Sequence, residues 1–360
     1  MNQSKDIFPD KNLHVDEFIN SDGLRFIEAR NAPFEIYGLY DYKNQPDYKR
    51  LPDEIGLNVN EGVASLYLHT AGGRVRFSTD SRYVAIKISM PKISHHSHMP
   101  LTGSAGLDLY IDEAEREELG YYKTFVPPYT MIDGYESKID LKTRKLRYFT
   151  INMPSYNRVS DLYIGIEENA SLGEGLKYRP LLPVVYYGSS ITQGGCTSRP
   201  GNIYQNIISR RLNIDYINLG FSGSGKGEPT IAEYMATIPM SAFVSDYDHN
   251  APTAEHLERT HFALYKTIRE KNPDIPYIMV TRPDYRNHGD SESRRQVILK
   301  SYRAALALGD KNVCFVDGKE FFTGRYADMC TVDGTHPTDL GFSFMADHIG
   351  AALESIIVNK

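Results

Sequence analysis

Along the first half of the chain, apolar and polar positions alternate at every second residue. Val84, Ile86, Ile88 and Met90 are separated by Ala85, Lys87 and Ser89, the two-residue period of a strand with one buried face. Residues 66–68, 75–77, 107–110, 145–151 and 162–166 repeat the style. Turn-forming stretches separate them, among them Ala71-Gly72-Gly73, Thr79-Asp80-Ser81 and Met131-Ile132-Asp133-Gly134. Many short strands, polar turns and almost no helical periodicity predict an all-β sandwich or jelly roll.

From about Pro183 the period changes. Apolar runs at 184–187, 216–219, 242–244, 277–280 and 313–316 now alternate with amphipathic helices. Ile203, Ile207, Ile208 and Leu212 share one helical face; so do Leu257, Leu264, Tyr265 and Ile268, and later Phe342, Met345, Ile349, Leu353 and Ile356. Strand and helix in strict alternation predict a parallel sheet covered on both sides. Right-handed crossovers make it a doubly wound α/β sandwich of five strands, flavodoxin-like, with ligands expected at the strand C-terminal ends. The Gly- and Pro-rich stretch 171–183 is the expected boundary, giving a sandwich domain over 1–178 and an α/β domain over 179–360.

Composition narrows the partners more than the fold. A net charge of -6 provides no basic footprint for nucleic acid, and no apolar run reaches the length of a membrane span. Tyr is abundant at 26 residues while Trp is absent, which permits a carbohydrate partner without requiring one. Cys196, Cys314 and Cys330 are too irregularly spaced for a disulfide framework or a zinc motif. The first ten residues lack a signal-peptide pattern. Read literally that predicts a cytoplasmic protein, and a trimmed periplasmic or secreted form would read the same. Oligomeric state stays open.

If ligands bind at the strand C-termini, the residues after each strand carry the chemistry. They are Gly188-Ser189-Ser190-Ile191-Thr192-Gln193-Gly194-Gly195, then the turn from Asn218 through Gly223 to Gly225, then Asp246-Tyr247-Asp248-His249-Asn250, and finally Asp333-Gly334-Thr335-His336-Pro337 before the last helix. Each has a plain structural reading. Ser190 could start a helix, the glycines could cradle a phosphate or permit a turn, and Asn250 could cap a helix. The glycine spacing matches neither common nucleotide-binding motif. Together the turns supply what acyl transfer needs. A serine hydroxyl requires an imidazole to take its proton, and the imidazole requires a carboxylate to fix its tautomer. The oxyanion then requires preset donors. Ser190, His336 and Asp333 fill the first three roles; the Ser190 amide, the Gly223 amide and the Asn250 side chain fill the last.

These four blocks, in this order, resemble the signature blocks of the SGNH (GDSL-type) hydrolases. The family's usual Gly-Asp-Ser-Leu reads Gly-Ser-Ser-Ile here, and its Gly-x-Asn-Asp reads Asp248-His249-Asn250-Ala251. Gly106-Leu107-Asp108-Leu109-Tyr110 is similar to the Gly-x-Asp-Leu-Tyr signature of a subgroup with a β-sandwich ahead of the hydrolase. The resemblance implies a serine esterase with Ser190 as nucleophile, Asp333 and His336 completing a triad, and Gly223 and Asn250 as oxyanion donors. It implies a small or carbohydrate-borne ester, an acetyl ester above all, and no cofactor or metal.

His95-His96-Ser97-His98 lies between Pro91 and Pro100 and reads as an exposed loop rather than a metal site. Asp246, Asp248 and His249 offer metal-ligand chemistry that a serine enzyme does not need. Arg199 and Gln193, both in the loop after the first strand, are candidates to hold substrate; Arg282 and Arg286 belong to loops expected near the pocket. An acyltransferase with the same triad and a non-catalytic carbohydrate-binding protein are the alternative functions.

Overall fold

The computed structural model describes residues 14–112, 120–284, 286 and 288–358. Its first half contains β1 (Leu24–Glu28), β2 (Glu35–Tyr37), β3 (Arg74–Thr79), β4 (Tyr83–Ser89), β5 (Leu107–Asp112), β6 (Tyr121–Phe125), β7 (Gly134–Asp140), β8 (Arg147–Asn152), β9 (Asp161–Glu167) and β10 (Leu172–Glu174). One antiparallel sheet runs β1-β9-β4-β7; the other runs β10-β3-β8-β5-β6, with β2 also on β3. Val84, Ile86 and Ile88 of β4 meet Val75, Phe77, Leu109, Phe149 and Ile151 between the sheets, while Lys87 faces solvent. This is the predicted sandwich. A one-residue slip of β4 would expose those three side chains, a loss of roughly 5 kcal/mol or more, so burial sets the register.

Residues 66–68, expected as a strand, are not one. They end a short helix, Glu61–Leu66, whose first turn is capped by the Asn60 side chain accepting the Val63 N–H at 2.9 Å. Val63 and Tyr67, four apart on one helical face, bury in the core of the second half. Three alternating residues cannot distinguish the two periods. The short helices Asp53–Gly56 and Leu101–Ser104 had too few turns to show any.

The second half follows the expected alternation: β11 (Val184–Gly188), β12 (Tyr216–Gly220), β13 (Ala242–Asp246), β14 (Tyr277–Val280) and β15 (Val313–Val316) form a parallel sheet in the order β12-β11-β13-β14-β15. Helices Tyr204–Leu212 and Asp339–Leu353 cover one face against Val184 and Tyr186. Helices Pro229–Thr237, Ala254–Lys271 and Ser291–Ala307 cover the other against Val185 and Tyr187. In the pairing of β11 with its neighbours, Gly188 stands opposite both Gly220 and Asp246. The turns after the three strands therefore begin side by side, at the switch point where this topology places ligands.

The halves are joined at the free edge of β12. The carbonyls of Tyr216, Asn218 and Gly220 point away from β11 and would be orphaned there. Two buried arginines from the first half satisfy them: Arg74 donates to Tyr216 O at 3.1 Å, and Arg50 to Asn218 O at 3.2 Å and Gly220 O at 2.6 Å. Arg74 also pairs with Asp215 and stacks 3.8 Å over the Tyr216 ring.

Candidate functional site

Ser190 stands where β11 turns into the one-turn helix Ser190–Gln193. The Ser189 hydroxyl accepts the Ile191 N–H at 3.2 Å, and Gly194, at φ +104°, ends the helix. A Cβ on Gly188 would stand 2.0 Å from Thr192 Oγ1 and 2.4 Å from Asp246 O, so the strand leaves the sheet through a glycine. The Ser190 carbonyl is held by the Gly194 and Gly195 amides at 3.0 and 2.8 Å and by the Tyr156 hydroxyl at 3.0 Å. Its side chain is thereby fixed at the tip of the turn.

The Ser190 hydroxyl lies 2.9 Å from His336 Nε2, and His336 Nδ1 lies 2.7 Å from Asp333 Oδ2. The other carboxylate oxygen of Asp333 accepts the His336 and Thr335 amides at 2.8 and 3.0 Å. Gly334, at φ +86°, permits the turn between acid and base, and Val332 N–H to His336 O at 2.9 Å closes the loop on itself. Burial pushes the Asp333 carboxyl up, but the His336 amide and ring and the Thr335 amide outweigh it and hold it at about 2. A carboxylate that stays ionised beside Nδ1 keeps the proton there and leaves Nε2 open to accept one from serine.

The expected oxyanion donors flank the same serine turn. Gly223 is left-handed at φ +67° with open space where a side chain would stand. Asn250 closes the turn Asp248–Asn250, and its side-chain oxygen accepts the Gly225 N–H at 3.3 Å. That bond assigns the amide and leaves its NH2 as the donor. Beneath Gly223 the loop is tied down. The Phe221 N–H reaches Gly188 O at 2.9 Å, and Asn218 bridges the Gly220 N–H and Thr192 O at 2.9 and 2.7 Å.

The side chains of the two expected substrate-contact residues are engaged by other partners. Gln193 is fully buried; its oxygen accepts the Ser222 N–H at 2.9 Å and its nitrogen reaches Ser155 O at 3.0 Å and His69 Nδ1 at 3.2 Å. The amide joins the serine turn, the Gly223 loop and the sandwich instead of facing a ligand. Arg199 turns toward the sandwich, where its guanidinium bonds Tyr110 and Asp108 and stacks 3.7 Å over Tyr121. Asp108 also accepts the Gly201 N–H at 2.8 Å and the Asn152 amide at 2.7 Å. Asp108 and Tyr110 of the Gly-x-Asp-Leu-Tyr stretch are thus a latch between the halves, and a Cβ on Gly201 would collide with both.

Asp246, Asp248 and His249 do not converge. Asp246 bonds Tyr204 and Thr192, each at 3.1 Å; Asp248 accepts the Arg282 N–H at 3.1 Å; His249 meets Asp284 at 2.6 Å. Arg282 is buried, while Arg286 lines a cavity of about 490 Å³ with Asp284, Lys319, Phe322 and Gly334, beside the catalytic-type loop. Arg50 and Tyr156, which hold the serine and oxyanion turns, carried no recognisable motif. The loop His95-His96-Ser97-His98 brings the His98 ring to 5.5 Å from that of His336.

Residues 182–354 match the GDSL-like lipase/acylhydrolase family, and residues 24–172 match the N-terminal domain of SGNH-hydrolase-type esterases. No match was found among curated proteins. A GDSL-like lipase from Bacteroides ovatus is 26% identical with a TM-score of 0.82, covering 93% of this chain and 98% of that one. A salicylyl-acyltransferase from a tetracycline biosynthetic pathway is 18% identical with a TM-score of 0.71, over 93% and 98%. A family two carbohydrate esterase from Clostridium thermocellum, solved with cellohexaose, is 12% identical with a TM-score of 0.61, over 89% and 98%. The last two share the fold. With its two matched halves in family order, the chain belongs to the SGNH (GDSL-type) hydrolases, in the subgroup with an N-terminal Gly-x-Asp-Leu-Tyr sandwich, and is a carboxylic ester hydrolase.

Proposed function

We propose that the protein is a serine esterase that removes short acyl groups, acetyl above all, from a carbohydrate through an acyl-enzyme. The observation that carries this reading is the unbroken chain from Ser190 Oγ through His336 to Asp333, at 2.9 and 2.7 Å. Ser190 Oγ attacks the ester carbonyl while His336 Nε2 takes its proton. The oxyanion is met by the Ser190 and Gly223 amides and the Asn250 NH2, each such donor worth about 2.7 to 4 kcal/mol of barrier. The tetrahedral intermediate expels the sugar hydroxyl, which leaves with the proton from Nε2. Water then repeats the sequence on the acyl-enzyme and releases the carboxylic acid.

A carbohydrate leaving group is favoured by the similarity to a carbohydrate esterase solved with a cello-oligosaccharide. The polar cavity with Arg286 and Lys319 beside the triad loop is the natural subsite. In this reading residues 1–178 are an accessory domain that braces the catalytic domain, 179–360. Transfer to an alcohol instead of water is the second reading, favoured by the similarity to an acyltransferase. Hydrolysis of p-nitrophenyl acetate and acetylated oligosaccharides by wild type, Ser190→Ala and His336→Ala tests the proposal, with products analysed with and without an added alcohol. Equal turnover by all three would refute the triad; acyl transfer outrunning acid release would favour the second reading.

A further inference from the structure

The sandwich domain contributes one imidazole to the immediate surroundings of the triad. One ligand atom each from His98, Cys196 and His336 lie within 4.8 Å of one another. His98 belongs to the loop before the helix Leu101–Ser104 and is exposed; Cys196 is buried in the turn after the serine helix. Among the described residues, Cys196 is one of four non-glycine residues with positive φ, at +72°. A Cβ on Gly195 would stand 3.3 Å from His336 Cδ2, so the backbone leading to Cys196 passes along the ring edge that carries Nε2.

We propose that this cluster is a regulatory site for a thiophilic divalent cation, zinc being the probe, and that its occupation switches the esterase off. Two imidazoles and a thiolate form the borderline-soft donor set that zinc prefers over magnesium or calcium. Tetrahedral zinc holds such ligands at about 2.0 to 2.3 Å, with a fourth position for water. The donors need to close by about an ångström, and the exposed His98 loop is the part able to move. Sulfur binds a metal as thiolate, so taking up the cation displaces one proton from Cys196. His336 Nδ1 already faces Asp333, which leaves Nε2 for the metal. The same lone pair accepts the Ser190 proton, so catalysis and metal binding exclude each other.

The inhibitory half of this proposal rests on the esterase reading above; the binding half does not. Zinc is titrated against a chromophoric chelator, with p-nitrophenyl acetate turnover followed in parallel. Wild type should lose turnover in step with zinc binding and recover it with EDTA. His98→Ala and Cys196→Ser should keep their turnover in chelated buffer but need more than about tenfold more zinc for half-inhibition. His288→Ala, which dismantles the separate His249, Asp284 and His288 cluster, should keep wild-type sensitivity. Ser190→Ala should lack turnover yet bind zinc as wild type does, and lose that binding when combined with His98→Ala. Equal zinc sensitivity of wild type, His98→Ala and Cys196→Ser would overturn the site, as would relief by His288→Ala. If wild type turned over no ester, the esterase reading would fall, and the chelator competition would still decide the site.

Discussion

Replacing Arg50 by methionine asks whether the first half of the chain holds the oxyanion loop in its working position. The Arg50 side chain is buried and donates to four backbone carbonyls: Leu66 at 2.6 Å, His69 at 2.9 Å, Asn218 at 3.2 Å and Gly220 at 2.6 Å. It also stacks 4.5 Å over Phe221, the residue before Ser222 and Gly223. Methionine keeps much of the volume and removes every donor. The Asn218 and Gly220 carbonyls then lose the partner that covers the sheet edge, at about 1 to 3 kcal/mol each. Relief from burying a guanidinium offsets part of that, leaving a net loss of roughly 2 to 4 kcal/mol. Loosening Gly223 should cost more in turnover than in binding, because in the proposed mechanism its amide meets the oxyanion. Up to one donor's contribution, about 10²- to 10³-fold in kcat, is at stake. The assay is p-nitrophenyl acetate kinetics at a temperature where circular dichroism shows Arg50→Met folded. We expect kcat to fall more than about tenfold, KM to move less than about threefold, and Tm to drop by several degrees. A folded variant with wild-type kcat would refute the link between the sheet-edge arginine and the oxyanion loop.

Asp246 is fully buried, and burial raises its carboxyl from 3.8 to about 7 although Tyr204 and Thr192 oppose the shift. Between those values the folded chain keeps a proton that the unfolded chain releases, so stability drains as pH rises through the window. Asp246→Asn should therefore gain on wild type by a few kcal/mol at pH 8 and progressively less toward pH 4 in urea melts; a difference independent of pH would contradict this. Arg199→Ala should lower Tm by breaking the Asp108 latch while leaving KM within about twofold, whereas a KM raised tenfold at unchanged Tm would restore Arg199 to substrate binding. Asp333→Asn should cut kcat by about 10³- to 10⁴-fold with circular dichroism unchanged, and near-normal turnover would remove Asp333 from the triad. Because Asp333 stays ionised down to about 2, its own protonation should leave no inflection in wild-type kcat/KM above pH 4; an inflection there that Asp333→Asn abolishes would count against the assignment.

Long periodic stretches were legible in the chain. The five apolar runs of the second half became five parallel strands because each packs both faces against the covering helices, and the Val84–Met90 alternation marked a sandwich strand correctly. The turn residues were legible for a related reason: Gly188, Gly223 and Gly334 occupy positions where space or φ excludes other side chains, so composition there records geometry. What stayed hidden was contact between distant segments. Gln193 and Arg199 sit in the right loop for substrate, yet their partners, Ser155 and His69 for one and Asp108 and Tyr110 for the other, come from the sandwich more than 35 residues away. Arg50 has no local pattern at all, since its four partners are backbone carbonyls that any residue could supply. Residues 66–68 show no strand because they end a helix whose Val63, with Tyr67 just beyond it, buries in the core of the second half rather than in the sandwich.

The central claim is that Ser190 carries the acyl group, and rapid acid quench of a p-nitrophenyl acetate reaction followed by peptide mass spectrometry tests it most directly. The account predicts one acetyl group per chain, on the peptide that contains Ser190, accumulating with the first turnover. Ser190→Ala should carry none and turn over at least about 10³-fold more slowly. An acetyl group on another residue of the wild-type protein, or wild-type turnover by Ser190→Ala, would contradict it.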